Sequence, residues 1–440
     1  MSPRQHQPEN AGAVSPRRYQ SADAGAVSPR SYQSEDRGTL RRLSVLAALL
    51  MLVALVAGAY ALTRPEANSG VRARVAVGEA LGGDAAGFAR ALAPRPFVFP
   101  ADHGPHPEYR TEWWYYTGNL STATGRHFGY QLTFFRNSLP ANPEPRASAW
   151  ATNQVYMAHF ALSDIDGGQF HAFERFQRGA EGLAGAQATP FQVWLEDWSA
   201  ATVPGGAEPF PGHPAVRLRA AEGDLALDLT VATTKPAVWE GENGFSRKGP
   251  EPGNASYYYS LTRLDTTGTL TVSPRQYQSA DAGSVDGQTF AVSGSSWLDR
   301  EWGTSALSPD LVGWDWFALQ LDDGRELMLY RLRWRDGTAD PFSAGTLVAP
   351  DGSSRSLAAA DFSLQPLGEW QSPNGGVRYP AAWRVAVPGA NLYLTVTPYL
   401  ADQELAVSVR YWEGAVRIAG SASGQGYLEM TGYGDSGVRR

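Results

Sequence analysis

Short runs of alternating apolar and polar residues follow one another from Phe97 to the end of the chain, and this pattern limits the folds that the chain can adopt. Glycine and proline separate the runs, and long stretches with helical periodicity are nearly absent. Many short strands with little helix are typical of antiparallel sandwiches and barrels. Because the region is longer than a usual single barrel, the sequence predicts an all-β fold of two domains that divide near residue 305. The runs include HFGYQLTFFR, WFALQLDDGRELMLYRLRW, WRVAVPGANLYLTVTPYL and YWEGAVRIAG.

The N-terminal part has a different composition. Residues 1–42 contain seven arginines and few apolar side chains, so they are predicted to be a disordered tail. Residues 43–62 carry no charge and are long enough to span a membrane, with the N-terminus inside because arginines precede them. They could instead be a signal peptide, since Ala59-Tyr60-Ala61 has the small-x-small form of a cleavage site. Both interpretations place the rest of the chain outside the cytoplasm, periplasmic or at the cell surface, after a linker at 63–95.

A repeated polar segment occurs twice in this tail and once inside the ordered region. Removal of residues 273–285 joins Val272 to Asp286 and gives GTLTV-DGQTFAVSG, which is a strong hairpin pattern. We therefore interpret 273–285 as a cassette inserted at a hairpin tip, where each doubling of loop length costs only about 0.6 kcal/mol. The alternative is a functional recognition loop. The three copies are VSPRRYQSADAGAV from Val14, VSPRSYQSEDRG from Val27 and VSPRQYQSADAGSV from Val272.

The segment SWLDREWG, residues 296–303, places two carboxylates among tryptophans on a predicted strand. Alternation separates its side chains into two faces, one with Trp297, Asp299 and Glu301 and the other with Leu298, Arg300 and Trp302. If the acidic face lines an apolar cavity, burial and repulsion between two carboxyl groups about 7 Å apart would raise a carboxyl pKa and create a proton donor. In the alternative interpretation, Asp299 and Glu301 lie in solvent.

A second aromatic strand is predicted in RTEWWYYTGNL, residues 110–120. Glu112, Trp114 and Tyr116 share one face of this strand, and Trp113 and Tyr115 share the other. This strand is a candidate ligand wall, with Glu112 as a further acid. Ordinary aromatic packing at a barrel mouth is the alternative.

Other residues are candidates for metal binding or for structural roles. Asp102, His103 and His106 have a spacing that could hold a metal, but the surrounding prolines and glycine favour a rigid hydrogen-bonded loop. We therefore expect no metal. Glu413 and Glu429 are expected to tie strands together through arginines such as Arg417.

Several classes of function are excluded by composition and by missing motifs. The net charge of -7 and pI near 5.6 argue against a nucleic-acid partner. Cysteine is absent, which removes thiol nucleophiles and cysteine-bound zinc. No GxSxG, Walker, HExxH or dinucleotide motif is present, so we expect no cofactor, and carboxylate acid-base chemistry is the reaction type that remains.

Four segments closely resemble the AttH-like and carotenoid 1,2-hydratase-like family, whose members are often labelled predicted secreted hydrolases. The resemblance covers residues 97–435. It implies two lipocalin-like antiparallel β-barrel domains in tandem, at 96–305 and 306–440. The segments are FPADHGPHPEYRTEWWYYTGNL (99–120), SWLDREWG (296–303), GWDWFALQL (313–321) and YWEGAVRIAGSASGQGYLEMTGY (411–433).

The resemblance also implies a site. In the hydratases an aspartate two residues after an aromatic residue is taken to protonate an alkene, and this pattern matches Trp297 and Asp299. The preceding strand, which also contributes to their site, falls near Tyr257–Ser260 and contains the candidate Tyr258. The resemblance therefore implies a hydratase-like lyase or hydrolase that acts on an isoprenoid or lipid-like molecule. Glu301 would tune Asp299, with Trp297, Trp113, Trp114, Tyr116 and Tyr258 lining the ligand. The alternative is a non-catalytic lipid carrier that serves an export transporter, because AttH-like members are associated with transporter genes.

The cassette interpretation predicts that deletion of residues 273–285 leaves both fold and activity intact, because a hairpin tip tolerates changes in length. Thermal unfolding and ligand binding of the deleted variant should match those of the full chain. A loss of either would show that the segment has a function.

Overall fold

The computed structural model describes residues 85–142, 147–206, 208–272, 287–304, 307–308 and 310–434. The predicted tail, the apolar segment at 43–62 and the cassette at 273–285 lie outside these ranges. None of the helices in the described part has the length and apolar character needed to cross a membrane. The helices found there are short 3-10 turns, at Ala101–His103, Ala359–Asp361 and Pro388–Ala390.

The first sheet is antiparallel and contains thirteen strands within the described ranges. They run in the order β4-β3-β2-β1-β13-β12-β9-β8-β7-β6-β5, and the short strands β10 and β11 pair with β12. The strands are β1 (Thr111–Ser121), β2 (His127–Ser138), β3 (Gln154–Asp164), β4 (Gln169–Arg178), β5 (Ala184–Ala188), β6 (Phe191–Leu195), β7 (Trp198–Thr202), β8 (Val216–Glu222), β9 (Leu225–Thr233), β10 (Val238–Trp239), β11 (Phe245–Arg247), β12 (Ala255–Val272) and β13 (Gln288–Gly303).

The second sheet is also antiparallel and has ten strands in the described part. Their order is β17-β16-β15-β14-β23-β22-β20-β19-β18, with β21 paired to β22. The strands are β14 (Leu311–Leu321), β15 (Glu326–Trp334), β16 (Ala344–Val348), β17 (Ser354–Ala358), β18 (Ser363–Gln371), β19 (Arg378–Val387), β20 (Leu392–Pro398), β21 (Glu404–Ala406), β22 (Arg410–Gly420) and β23 (Gly424–Thr431).

Each sheet curls around its own apolar core. In the first sheet, the curl brings β6 back against β2, β3 and β4. Strand β9, LALDLTVAT, shows how the pattern works, because every second side chain is buried in the core. The prediction of an all-β fold with two lipocalin-like antiparallel barrels is confirmed.

A third apolar cluster lies where the two sheets meet. It combines first-sheet residues such as Tyr258 and Trp297 with second-sheet residues such as Trp316 and Tyr330. This contact explains the burial along β13, whose first half is partly exposed and whose residues from Ser296 to Gly303 are buried on both faces. The segment that carries the predicted acids is therefore covered by a barrel core on one side and by the second sheet on the other.

A buried ion cluster also joins the sheets. Lys235 and Arg263 of the first barrel contact Glu326 of the second at 2.7 Å and 2.5 Å, and the Glu326 side chain is fully buried. The ammonium of Lys235 also donates to the carbonyl oxygens of Gly324 and Ala349. Two cations thus share one buried carboxylate.

Replacement of Glu326 by glutamine should lower the free energy of unfolding by about 3 kcal/mol, because it leaves two cations without their buried partner. The matched control is Glu369→Gln, since Glu369 and Arg378 form an exposed pair at 3.2 Å that contributes less than about 1 kcal/mol. Urea unfolding measures both. Equal effects of the two substitutions would contradict the role given to Glu326.

Candidate active site

A cavity opens between the two sheets, and it contains about 1060 Å³ free of protein atoms, including the space at its mouth. Strands β1, β2, β12 and β13 form one wall, and β14, β15, β22 and β23 form the other. Eight of the eighteen lining residues are aromatic. The main aromatic side chains are Trp113, Tyr115, Phe135, Tyr258, Trp314, Trp316, Tyr330 and Tyr411.

Asp299 lies on the first-sheet wall of this cavity and is 4% exposed. Its Oδ1 accepts hydrogen bonds from Ser260 Oγ at 2.6 Å and Trp297 Nε1 at 2.7 Å, and its Oδ2 accepts one from the Tyr258 hydroxyl. No ion pair to Asp299 forms within the described residues. Burial raises the pKa of Asp299 to about 6, although the three hydrogen bonds act to lower it. Part of the Asp299 population is therefore protonated near neutral pH.

Glu301 shares the face of Asp299 but has a different environment. It accepts a hydrogen bond from Ser256 Oγ at 2.5 Å and pairs with Lys248 Nζ at 3.3 Å. The ammonium of Lys248 lies 4.2 Å from the ring centroid of Tyr330. Burial acts to lower the pKa of Lys248, but the charge and hydrogen bond of Glu301, together with Tyr330 and Glu240, outweigh burial and the pKa is raised. Lys248 thus remains charged and is held by Glu301, which leaves Asp299 without a cation.

Glu429 contributes an acid to the opposite wall. Burial raises the pKa of this half-buried side chain to about 8, and the negative charges of Asp299 and Glu301 add to the effect. The expectation that Glu413 and Glu429 pair with arginines was wrong. They lie opposite each other in the β22–β23 ladder, and Glu413 accepts a hydrogen bond from Tyr115. Arg417 is exposed and about 13 Å further along the strand from Glu413.

The structure divides the predicted ligand residues between two cavities. Trp113 and Tyr258 line the cavity between the sheets together with the two acids of β13. Trp297 is buried on the same face of β13, where its ring packs edge-on against Trp316 with 6.4 Å between the ring centroids. Trp114 and Tyr116, on the other face of β1, line a smaller cavity inside the first barrel. The reason is strand alternation, which sends neighbouring side chains of β1 to opposite sides of the sheet.

Glu112 lies in a buried ion cluster, apart from the hydrogen-bond network of Asp299. Its carboxylate pairs with Arg136 and Arg300 and accepts the backbone N–H of His106 at 3.0 Å. The guanidinium of Arg300 also stacks on Trp114, 4.0 Å from its ring centroid. Burial acts to raise the pKa of Glu112, but the two arginines hold it well below its usual range. This arrangement favours a fixed charge with a structural role.

The candidate metal ligands Asp102, His103 and His106 make hydrogen bonds. Nε2 of His106 is 3.1 Å from Asp102 Oδ1, and Nδ1 of His103 is 2.6 Å from the Tyr259 hydroxyl. Within the described ranges, no group of three or more histidine, aspartate and glutamate side chains is arranged to hold a metal ion.

Several of the residues that line the cavity were not predicted from the sequence. Trp314 and Trp316 lie within GWDWFALQL, and their spacing of two residues places them on one strand face, so the sequence did contain a signal for them. No sequence pattern identified Lys248 and Tyr330 as cavity residues, because only the packing of one sheet on the other decides which strand faces meet.

Comparisons with known proteins agree with this architecture. The sequence profile of the family described as AttH-like matches residues 90–433. A crystal structure of a protein assigned as AttH from Nitrosomonas europaea matches with a TM-score of 0.67 and 35% identity, over 79% of this chain and 100% of that one.

Two comparisons involve kievitone hydratases. The protein from Fusarium solani subsp. phaseoli is 24% identical over 230 residues, which cover 50% of this chain and 58% of that protein, less than two thirds of its length. The crystal structure from Nectria haematococca has a TM-score of 0.57 at 16% identity, and covers 78% of this chain and 98% of that one. At 16% identity, the similarity to the Nectria haematococca structure concerns the fold alone.

The raised pKa of Glu429 predicts a pH-dependent stability. The folded chain holds this proton up to about pH 8, whereas the unfolded chain loses it near the usual value of 4.5. The free energy of unfolding should therefore fall as pH rises between these values. Glu429→Gln should fall less steeply than wild type in urea unfolding over this range, whereas the exposed control Glu251→Gln should follow wild type. Parallel curves for Glu429→Gln and wild type would contradict the assignment.

Proposed function

This chain belongs to the AttH-like family, and we propose that the cavity between its two sheets is the active site of a hydratase-like enzyme. The proposed substrate is an apolar molecule with a carbon–carbon double bond, of isoprenoid or lipid-like character. The observation that carries the proposal is Asp299, a buried acid with a raised pKa and three hydrogen-bond donors on the wall of an aromatic cavity.

The proposed reaction begins with proton transfer from Asp299. A C–H bond forms at one alkene carbon, the O–H bond of the acid breaks, and the other carbon becomes cationic. Water then forms a C–O bond to the cation and returns a proton to the Asp299 carboxylate, so that the net change is addition of one water. Positioned acid catalysis of this kind contributes about a hundred- to ten-thousandfold.

The aromatic residues of the cavity walls would stabilise the cation that forms in this reaction. Trp113, Trp316 and Tyr330 line the cavity, and an aromatic ring attracts a cation through its quadrupole. Lys248 would oppose a second cation, but its charge is compensated by Glu301.

Relatives support the reaction class. The partial sequence match to kievitone hydratase extends hydratase chemistry to this chain as a proposal, and a hydrolase within the same family is the neighbouring possibility. Eight of the eighteen residues that line the cavity are aromatic, and such a lining suits an apolar substrate.

The second candidate is a non-catalytic carrier of lipid-like molecules that assists an export transporter. It is favoured by the eight aromatic residues that line the cavity, which would hold an apolar ligand without chemistry. For either function we propose a location outside the cytoplasm, with residues 43–62 as a membrane anchor or signal. This location is supported by the sequence of that segment.

The substitution Asp299→Asn separates the two candidates, because it keeps the shape of the side chain and removes the proton donor. Native mass spectrometry first identifies the lipid that co-purifies with the chain, and that lipid and its unsaturated analogues are then assayed for water addition. For the enzyme, turnover should fall by about a hundredfold or more while ligand binding persists.

The control is Asp336→Asn, an exposed aspartate in a turn of the second sheet, which should leave turnover unchanged. Turnover of Asp299→Asn at the wild-type rate would rule out the mechanism. Bound ligand without conversion in wild type would favour the carrier.

A further inference from the structure

Behind Asp299, away from the cavity, a second buried carboxyl approaches the same serine. Ser260 Oγ lies 2.6 Å from Asp299 Oδ1 and 2.9 Å from Glu240 Oε1. Ser260 and Glu240 are fully buried. The positions are fixed by backbone pairing, because Ser260 is the ladder partner of Asp299 and the N–H of Glu240 donates to the carbonyl of Tyr258 at 3.1 Å.

The number of hydrogens shared by Ser260, Asp299 and Glu240 determines whether one of the two carboxyl groups is protonated. A serine hydroxyl carries one hydrogen, so it can donate a strong hydrogen bond to only one of two carboxyl groups. The other short contact then needs a hydrogen from the carboxyl side. If Asp299 and Glu240 were both ionised, one contact would join lone pairs on two oxygens. The geometry therefore requires one shared proton in addition to the hydrogen of Ser260.

The neighbouring donors indicate where this proton resides. Asp299 accepts from Trp297 and from Tyr258, and Tyr258 is free to donate because its oxygen accepts from Trp316 Nε1 at 3.1 Å. In addition to its contact with Ser260, Glu240 accepts a hydrogen bond from Thr346 Oγ1 of the second sheet at 2.5 Å. The carboxylate form is better stabilised at Asp299, so the proton lies mainly on Glu240, which donates to Ser260.

The surrounding charges agree with this assignment. Burial raises the pKa of Glu240 to about 8, and the negative charge of Asp299 adds to the rise. Lys248 acts in the opposite direction, but it is paired with Glu301. From the second sheet, Glu429 faces Asp299 as a further acid without an ion pair in the described part of the chain.

We propose that Glu240 is a positioning residue that shares one proton with Asp299 through the hydroxyl of Ser260. In the transfer, the O–H bond of Glu240 breaks as a bond forms to Ser260 Oγ. The original O–H bond of Ser260 breaks at the same time as a bond forms to Asp299 Oδ1. Glu240 becomes the carboxylate and Asp299 the acid. The use of this proton in turnover rests on the proposed function, whereas the sharing itself does not.

Infrared spectroscopy tests the sharing without a substrate. At about pH 7, the difference spectrum between wild type and Glu240→Gln should contain the carbonyl band of a protonated carboxyl group, because glutamine removes an acid that is neutral at this pH. The matched control is Glu242→Gln, two residues away and exposed, whose difference spectrum should contain only carboxylate bands. Absence of the protonated band from the Glu240→Gln difference would overturn the proposal.

A titration tests the coupling to Asp299. The Glu240 band is isolated in the Asp299→Asn background from the difference between that variant and the Asp299→Asn, Glu240→Gln double variant. Removal of the charge of Asp299 should lower the pH at which Glu240 loses its proton by about one unit. An unchanged midpoint would mean that burial alone keeps Glu240 neutral, and the sharing would be refuted.

Kinetics connect the shared proton with turnover. Glu240→Gln should lower kcat by about tenfold or more with little change in KM, whereas Glu242→Gln should match wild type. An unchanged kcat would overturn the catalytic use of the shared proton. Survival of turnover in Asp299→Asn would instead refute the proposed function, and the infrared results would stand independently.

Discussion

The central constraint on this structure is the burial of carboxyl groups without cations where the two sheets meet. Glu112 and Glu326 are also fully buried, but each is bound by two cations and remains a charged part of the framework. Asp299 and Glu240 have hydrogen-bond donors and no ion pair in the described residues. An ionised carboxylate is unfavourable in such a place, so the protonated form gains stability and the pKa rises. The site thus retains protons near neutral pH, because Arg136 and Arg300 pair with Glu112 and do not neutralise Asp299 or Glu240.

The two faces of strand β13 border the two kinds of acid, those paired with cations and those without. Arg300 points into the first barrel and binds Glu112, and its neighbours Asp299 and Glu301 point towards the second sheet. The ladder between β1 and β13 pairs Tyr115 with Asp299 and Trp113 with Glu301. Aromatic residues therefore flank both acids on the cavity side, while the ion pair on the opposite side holds the two strands in register.

The same cavity is suited to a protein that only binds a ligand and to an enzyme that also converts it. An aromatic cavity between two barrels would hold an apolar molecule in either case, and the acid network decides whether chemistry follows. Because Thr346 of the second sheet donates to Glu240, the protonation of the network depends on how the sheets pack. We infer that the contact between the sheets contributes to the reactivity of the site as well as to stability.

The sequence alone determined the all-β fold, the family resemblance and the division of residues between the two faces of β1 and β13. These features follow from local alternation, which has a period of two residues and is visible in any strand. Only the tertiary structure decided which face borders the cavity, that Glu112 is paired with arginines, and that Ser260 joins Asp299 to Glu240. These contacts connect strands that lie far apart in the chain, and the packing of one curled sheet against another creates them, which no local pattern encodes.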